Sequence, residues 1–249
     1  MADEKLAYAT QHDGWGELVL SRPARRNALI GPMVLQMREA LASLQAAGSR
    51  VILLRGDGGS FCSGLDVDAF NTSPPQPWVK DFADSWMGFH LDLYRCPATI
   101  VCALERHAIN GGASMALGSD LLVAGEGAFL MVGEAAQGAP APMNLAWLKL
   151  RASETVIAQL MLSARRFHGP ELHRLGLAFE VVPDAEVLAH ARKLSETLAK
   201  FPGSGLASTK YAMRKLGPAG DGEDWFRRAK EKPPNVGDWT PQRQRVAST

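Results

Sequence analysis

The 249-residue chain is 46% apolar and 21% charged, with a formal net charge of +1. That size suits one main domain with a small appendage, and such a chain buries roughly three quarters of its unfolded surface without needing disulfides or metals. The near-neutral balance argues against a nucleic-acid binder, and the one dense basic cluster, Arg22, Arg25 and Arg26, suits a single anionic ligand.

In chain order, residues 17–20 read as a short strand that stops at Ser21-Arg22-Pro23. Pro32 opens a helix in which Met33, Leu35, Met37, Leu41 and Leu44 recur at near-helical spacing, and Gly48 stops it. Residues 51–54 form a buried-type strand, followed by the glycine-rich stretch Gly56-Asp57-Gly58-Gly59-Ser60. Residues 71–77 are an irregular proline-rich loop, and a helix is expected over 78–94. A strand at 99–104, a helix opened by Gly111-Gly112 and a strand at 121–124 continue an α/β alternation to about residue 180. After Val181-Val182-Pro183-Asp184 the character changes. Two helices are expected at 186–200 and 206–216, then a tail rich in Pro, Gly and charge with Trp225 and Trp239 as anchors and a loose last ten residues. The division expected is a core over 1–185 and a helical region over 186–249.

Cys62, Cys96 and Cys102 are odd in number and unpatterned, which reads as reduced thiols. The N-terminus carries Asp3 and Glu4 and lacks an apolar stretch, so it does not read as a secretory signal. The apolar runs are too short to cross a bilayer. A cytoplasmic protein without membrane attachment is expected.

Two glycine-bearing turns carry the chemistry: Phe61-Cys62-Ser63-Gly64-Leu65-Asp66 and Ala108-Ile109-Asn110-Gly111-Gly112-Ala113. Each is expected where a strand passes into a helix, so that free N–H groups point outward and can bind an anionic oxygen. Two such groups converging on one point would form an oxyanion hole. Either turn alone is also explained by the freedom glycine gives a tight bend.

The flanks decide between these readings. Leu20-Ser21-Arg22-Pro23-Ala24-Arg25-Arg26-Asn27-Ala28-Leu29, the strand and turn over 51–66, and the second turn and helix over 108–120 resemble the crotonase superfamily, the enoyl-CoA hydratase/isomerase family. So do Phe167-His168-Gly169-Pro170-Glu171, Leu175-Gly176-Leu177, Val181-Val182-Pro183 and Ser208-Thr209-Lys210, which carries the likeness over residues 6–216. The resemblance implies an α/β fold, a spiral of β-β-α units with a helical C-terminal region that packs trimers or dimers of trimers. It implies an acyl-CoA substrate, so that CoA enters as part of the substrate and no separate cofactor is needed. By position, the backbone N–H groups of Leu65 and Gly111 would be the hole donors. Ser63, Gly64, Leu65 and Asp66 would border the CoA adenine, and Arg25, with Arg26, its phosphates.

Hydratases of the family use two glutamates. The first position is occupied here by Ser114, and the second by Glu134. Hydration calls for a water activated at one carbon and a proton delivered at the next, whereas a double-bond shift needs one base carrying a proton between C4 and C2. A single carboxyl therefore favours Δ3,Δ2-enoyl-CoA isomerisation with Glu134 as proton shuttle, its pKa raised by an apolar pocket. The alternatives are hydration or thioester hydrolysis with water held by Glu134 and a neighbour such as Ser114, and a non-catalytic acyl-CoA binder. Further departures from the family are Glu105-Arg106 in place of Asn-Gly, Asn110 in place of a glycine, Gly133 in place of a proline, and the proline-rich stretch 138–142. Ser114 as a nucleophile is disfavoured, because Gly112-Ala113-Ser114-Met115-Ala116 lacks the second glycine of a nucleophile elbow. The six histidines show no metal-ligand spacing, so no metal is expected. No phosphate-cradling GxxxxGK or GxGxxG pattern occurs. Residues 78–90 are expected to line the acyl tunnel.

Overall fold

The computed structural model describes residues 5–215 and 222–228. The chain opens with an antiparallel hairpin of β1 (Ala7–Gln11) and β2 (Trp15–Leu20). It then passes through α1 (Gly31–Ala46), β3 (Val51–Gly56), the four-residue α2 (Val67–Phe70) and α3 (Phe82–Arg95). Strands β4 (Thr99–Leu104) and β5 (His107–Ile109) lead into α4 (Gly111–Gly118), and β6 (Leu121–Gly125) and β7 (Phe129–Met131) follow. Next come α5 (Pro142–Lys149), α6 (Glu154–Ser163), β8 (Phe167–His168), α7 (Gly169–Arg174) and β9 (Glu180–Val182). Three helices close the described part: α8 (Val187–Ala199), α9 (Gly203–Lys215) and α10 (Gly222–Arg228).

The strands form two ladders. The larger sheet has the order β1-β2-β3-β4-β6-β9, and from β2 onward its neighbours are parallel. Strands β2, β3 and β4 are buried at every position, because helices cover both faces. That double burial is why 51–54 and 99–104 read as unbroken apolar runs. The smaller ladder is β5-β7-β8, extended by single bridges between Cys62 and Ala108 and between Leu29 and Leu65. Each coil of the spiral thus contributes a long strand to one ladder and a short segment to the other.

Several elements differ from their expected form. Strand β1 was not expected; it is an edge strand whose interior is half-buried, so its pattern carries little contrast. The helix expected over 78–94 begins as a 3₁₀ turn at Pro77–Asp81 and becomes α-helical at Phe82. The helix expected at 206 begins at Gly203, where a side chain would meet Arg50 Cδ at 2.7 Å. A poor helix former stands at that start because the helix lies tight against Arg50.

The line at 185/186 marks a change of element type, and the core runs across it. Val187, Ala191 and Ala199 of α8 pack with Val51, Leu53, Val101, Ala103 and Val123 on one face of the large sheet. Helix α10 folds back so that Phe226, fully buried, meets Trp147 edge-on at 4.9 Å between ring centres. Leu216, Trp239, the last ten residues and the side chain of Trp225 lie outside the described residues. All three cysteines are free and buried. Among the described residues no helix is long and apolar enough to cross a membrane.

Candidate active site

The spiral sets the two glycine turns side by side. Cys62 N–H donates to His107 C=O and Ile109 N–H to Cys62 C=O, so one turn lies against the next coil's strand. Two glycines permit this approach. Gly64 has φ +89°, and a Cβ there would stand 3.0 Å from Ile109 O. A Cβ on Gly112 would stand 2.5 Å from Cys62 O, inside any permitted contact.

Leu65 N–H and Gly111 N–H take part in no hydrogen bond found among the described residues, and both residues line one cavity. The second group belongs to the first residue of α4, where a helix has orphan donors. The first corrects the expectation of a helix N-terminus: α2 begins only at Val67, with Asp66 as its cap. Leu29 instead donates to Gly64 C=O and accepts from Asp66 N–H, a parallel bridge that leaves the Leu65 N–H facing away from Leu29.

The cavity has a volume of about 850 Å³. Arg25, Arg26 and Ser63 lie on one side, and Phe70, Val79, Phe82, Ala83 and Trp86 form an apolar wall. The wall is an aromatic stack: Phe70 meets Phe82 edge-on at 4.8 Å, and Trp86 meets His90 edge-on at 4.3 Å. Of residues 78–90, Val79, Phe82, Ala83 and Trp86 line this cavity. Glu134, Asn144 and the segment from Pro140 to Met143 complete it.

Glu134 starts a 3₁₀ turn (Glu134–Gln137) directly after β7. Its Oε1 accepts from Asn144 Nδ2 at 3.3 Å, while Oε2 is buried and unpartnered. Burial raises its pKa to about 7, against the weaker pull of the backbone at Glu134 and Gly133. A carboxyl in this state exchanges a proton readily near neutral pH.

Ser114 lines the cavity and is fully buried, and its hydroxyl is already committed. Trp147 Nε1–H donates to His90 Nδ1 at 2.9 Å, which makes Nδ1 an acceptor and puts the proton of the neutral ring on Nε2. His90 Nε2–H then donates to Ser114 Oγ at 3.2 Å, and the hydroxyl donates to Gly111 C=O at 2.8 Å. Burial lowers the His90 pKa to about 3, so the ring stays neutral. In this tautomer His90 is a donor to the serine and cannot take its proton, so the contact is a brace under the Gly111 turn.

The arginines divide in two. Arg25 pairs with Asp66 at 2.8 Å and Asp68 at 3.0 Å, and Arg22 pairs with Asp66 at 3.1 Å. Asp66 is buried; burial would raise its pKa, but Arg25, the Ala69 N–H and Arg22 outweigh that and lower it. Its carboxylate is thus spent on holding the first turn. Ser63 and Gly64 serve the same turn: Ser63 N–H donates to Arg26 C=O, and Gly64 C=O accepts from Leu29. Arg26 borders the cavity, exposed, with no carboxylate partner found among the described residues. No cluster able to hold a metal ion occurs among those residues.

Two participants were not singled out from the sequence. In the sequence His90 stands out only as the end of the 78–90 segment and as one of six histidines without metal-ligand spacing, and Asn144 not at all. Nothing in the spacing joins Asn144 to Glu134, across an irregular segment, or to Asn110, across α4, β6 and β7. The unusual prolines of 138–142 were the available signal, and they lead directly into α5.

A spiral of β-β-α coils with two neighbouring turns opening on one cavity is the crotonase fold. The sequence profile described as Enoyl-CoA hydratase/isomerase matches residues 10–218, and the chain belongs to that family. It is 30% identical to 1,2-epoxyphenylacetyl-CoA isomerase of Escherichia coli over 202 residues, 79% of this chain and 77% of that protein. It is 32% identical to enoyl-CoA hydratase EchA19 of Mycobacterium tuberculosis over 187 residues, 73% of this chain and 70% of that protein. Among solved structures, a Thermobifida fusca protein described as an enoyl-CoA hydratase, in complex with CoA, superposes with a TM-score of 0.77 at 26% identity, covering 90% of this chain and 91% of that one. A family protein from Hyphomonas neptunium gives a TM-score of 0.79 at 26% identity over 85% of this chain and 82% of that one.

Proposed function

We propose that this family member shifts the double bond of an enoyl-CoA between C3 and C2, with Glu134 as its single acid/base. The carrying observation is that one cavity holds two unpartnered backbone N–H groups and one buried carboxyl with pKa about 7 and a free oxygen. The thioester oxygen accepts from Leu65 N–H and Gly111 N–H. Glu134 Oε2 removes a proton from C2 of a 3-enoyl thioester, and the electron pair moves onto the carbonyl oxygen and through the C3=C4 bond. The same carboxyl returns the proton at C4, leaving a C2=C3 bond, so no water or external acid is consumed. Each hole donor contributes about 2.7–4 kcal/mol in comparable sites. Ser114 stands where a second glutamate would serve a hydratase, and its hydroxyl is engaged on both sides.

CoA is part of the substrate. Arg26, with Arg25 behind it in its carboxylate pairs, faces the phosphates, and backbone groups around Ser63, Gly64 and Asp66 border the adenine. Assembly as a homotrimer, or a dimer of trimers, accords with the exposed Phe201, Tyr211 and Met213 at and along α9. Light scattering in solution tests it.

A second reading, hydration of a 2-enoyl-CoA, draws on one observation. Asn144 Oδ1 is buried and unpartnered in the same cavity and would accept a hydrogen from water. Assay of a 3-enoyl-CoA and a 2-enoyl-CoA side by side separates the two. Turnover of the first with no hydration of the second supports isomerisation, and loss of about 10²–10⁴-fold in Glu134→Gln supports the base. Full activity in Glu134→Gln overturns the mechanism with either substrate. Binding of both thioesters without turnover supports a non-catalytic binder.

A further inference from the structure

Asn144 lies in the first turn of α5 and is 2% exposed. Its Nδ2 donates to Asn110 C=O at 3.2 Å and to Glu134 Oε1 at 3.3 Å. Two acceptors on one side fix which end of the amide is nitrogen. The other end, Oδ1, is buried without a partner, an arrangement that costs about 1–3 kcal/mol and marks a group held for something other than stability.

The Asn110 C=O receives a second bond from Ser114 N–H at 3.1 Å. This carbonyl belongs to the peptide whose N–H is Gly111. In a trans peptide the N–H points opposite to the C=O, and donors on the oxygen polarise the N–H on the far side. Asn110 itself sits at φ 53°, ψ −109°, a conformation suited to glycine. Its side-chain oxygen accepts from Gly133 N–H at 2.8 Å, a second strap from the same peptide to the Glu134 turn. Gly138 (φ +70°) turns the chain after Glu134, and Pro142 opens α5 so that its first turn faces that carboxyl. The proline-rich stretch, the missing glycine at 110 and the single glutamate thus meet at one amide.

We infer that Asn144 is a positioning residue that joins the Gly111 hole donor and the Glu134 base into one hydrogen-bonded unit. This deepens the proposed function and rests on it. The amide orients the peptide that faces the thioester oxygen, and it holds the carboxylate in the conformation that leaves Oε2 open to the substrate.

The test is the pH dependence of 3-enoyl-CoA turnover in the full chain, for wild type, Asn144→Ala, Asn144→Leu and Glu134→Gln, with circular dichroism and melting temperature recorded for each. Asn144→Leu keeps the side chain's size, brings no new charge beside Glu134 and cannot donate, so it carries the test if the alanine variant loses its fold. The expected result is a kcat loss of up to about 100-fold at pH 7, with KM changed far less. The limb on which activity rises with pH should also move upward by on the order of one pH unit, since the carboxylate loses a donor. Folded variants with the wild-type limb and kcat, beside an inactive Glu134→Gln, overturn the role of Asn144 and leave the base intact. Folded variants with a lower melting temperature and an unmoved limb reduce Asn144 to a packing residue and likewise overturn it. Full activity in Glu134→Gln removes the base, and the coupling falls with it.

Discussion

The two turns on the cavity present the same group, an unpartnered backbone N–H, and hold it by different means. The turn at 62–66 is held mostly by main chain: the bridge to Leu29, the bridge from Cys62 to Ala108, and Gly64 at positive φ. Its side-chain supports are the Cys62 thiol on Asn27 C=O, the Ser63 hydroxyl on Arg25 C=O, and Asp66, which stands beyond the donor and ties Arg22, Arg25 and the start of α2. The turn at 110–114 has one main-chain tie to the neighbouring strand, Asn110 N–H on Met131 C=O, and is otherwise held largely by side chains. Asn144 and Asn110 work from one flank, and the relay from Trp147 through His90 to Ser114 works from below. In a main-chain turn the exposed donor is the peptide of residue 65, whose side chain takes no part in holding it. A side-chain turn exposes the site to change at several positions, none of which is itself the donor.

The contrast can be broken most severely where the turns touch. Gly112→Ala forces a Cβ to within 2.5 Å of Cys62 O, so both turns must shift. We expect a stability loss of about 3–5 kcal/mol by denaturant titration, with turnover lost in the folded fraction. Gly64→Ala acts first on the main-chain turn, through φ +89°, and its Cβ presses more gently on the second, at 3.0 Å from Ile109 O. It should lower kcat by about 10²–10³-fold, the cost of one misplaced donor, without moving the pH limb. That immobility is what distinguishes it from the Asn144 variants.

Glu134 supplies a third measurement. Burial raises the Glu134 pKa from 4.5 in the unfolded chain to about 7 in the folded one. Below pH 4.5 both states hold the proton. Between 4.5 and about 7 only the folded state keeps it, so this group's contribution to stability falls as pH rises through that window and levels off above it. Glu134→Gln cannot ionise, and its stability advantage over wild type should grow across the same window to about 3 kcal/mol. A gap that stays constant with pH would show that the carboxyl is not buried in the way described.

The smallest effect tests the brace. Ser114→Ala leaves His90 Nε2–H and Gly111 C=O without their shared partner, which should cost about 1–3 kcal/mol of stability. Turnover should fall by no more than about tenfold, whereas a nucleophile lost at this position would cost about 10³-fold or more. Steady-state assay decides between them.

Much of this protein was legible in order along the chain. The strands at 51–54 and 99–104 announced themselves because both of their faces are covered. The two glycine turns could be named from residue type and local spacing, glycine standing where backbones nearly touch, and Glu134 from its position in the motifs that resemble the family. β1 escaped because a half-buried edge lacks contrast, and the starts of α3 and α9 shifted because prolines and Arg50 set them. The phosphate role expected of Arg25 came from its position in the family resemblance, and position along the chain does not reveal that Asp66 and Asp68 face it.

The sequence by itself determined the family, the α/β spiral and the presence of Glu134 with Ser114 at the two positions where the family's hydratases carry glutamates, since these rest on local pattern and residue identity. Only the tertiary structure decided how the Leu65 N–H is aimed, that Ser114 is a brace under the Gly111 turn, and that Asn144 meets both Asn110 and Glu134. Those are contacts between separate coils of the spiral. A hydrogen bond depends on distance and direction in space, and the chain lying between its partners carries no trace of either.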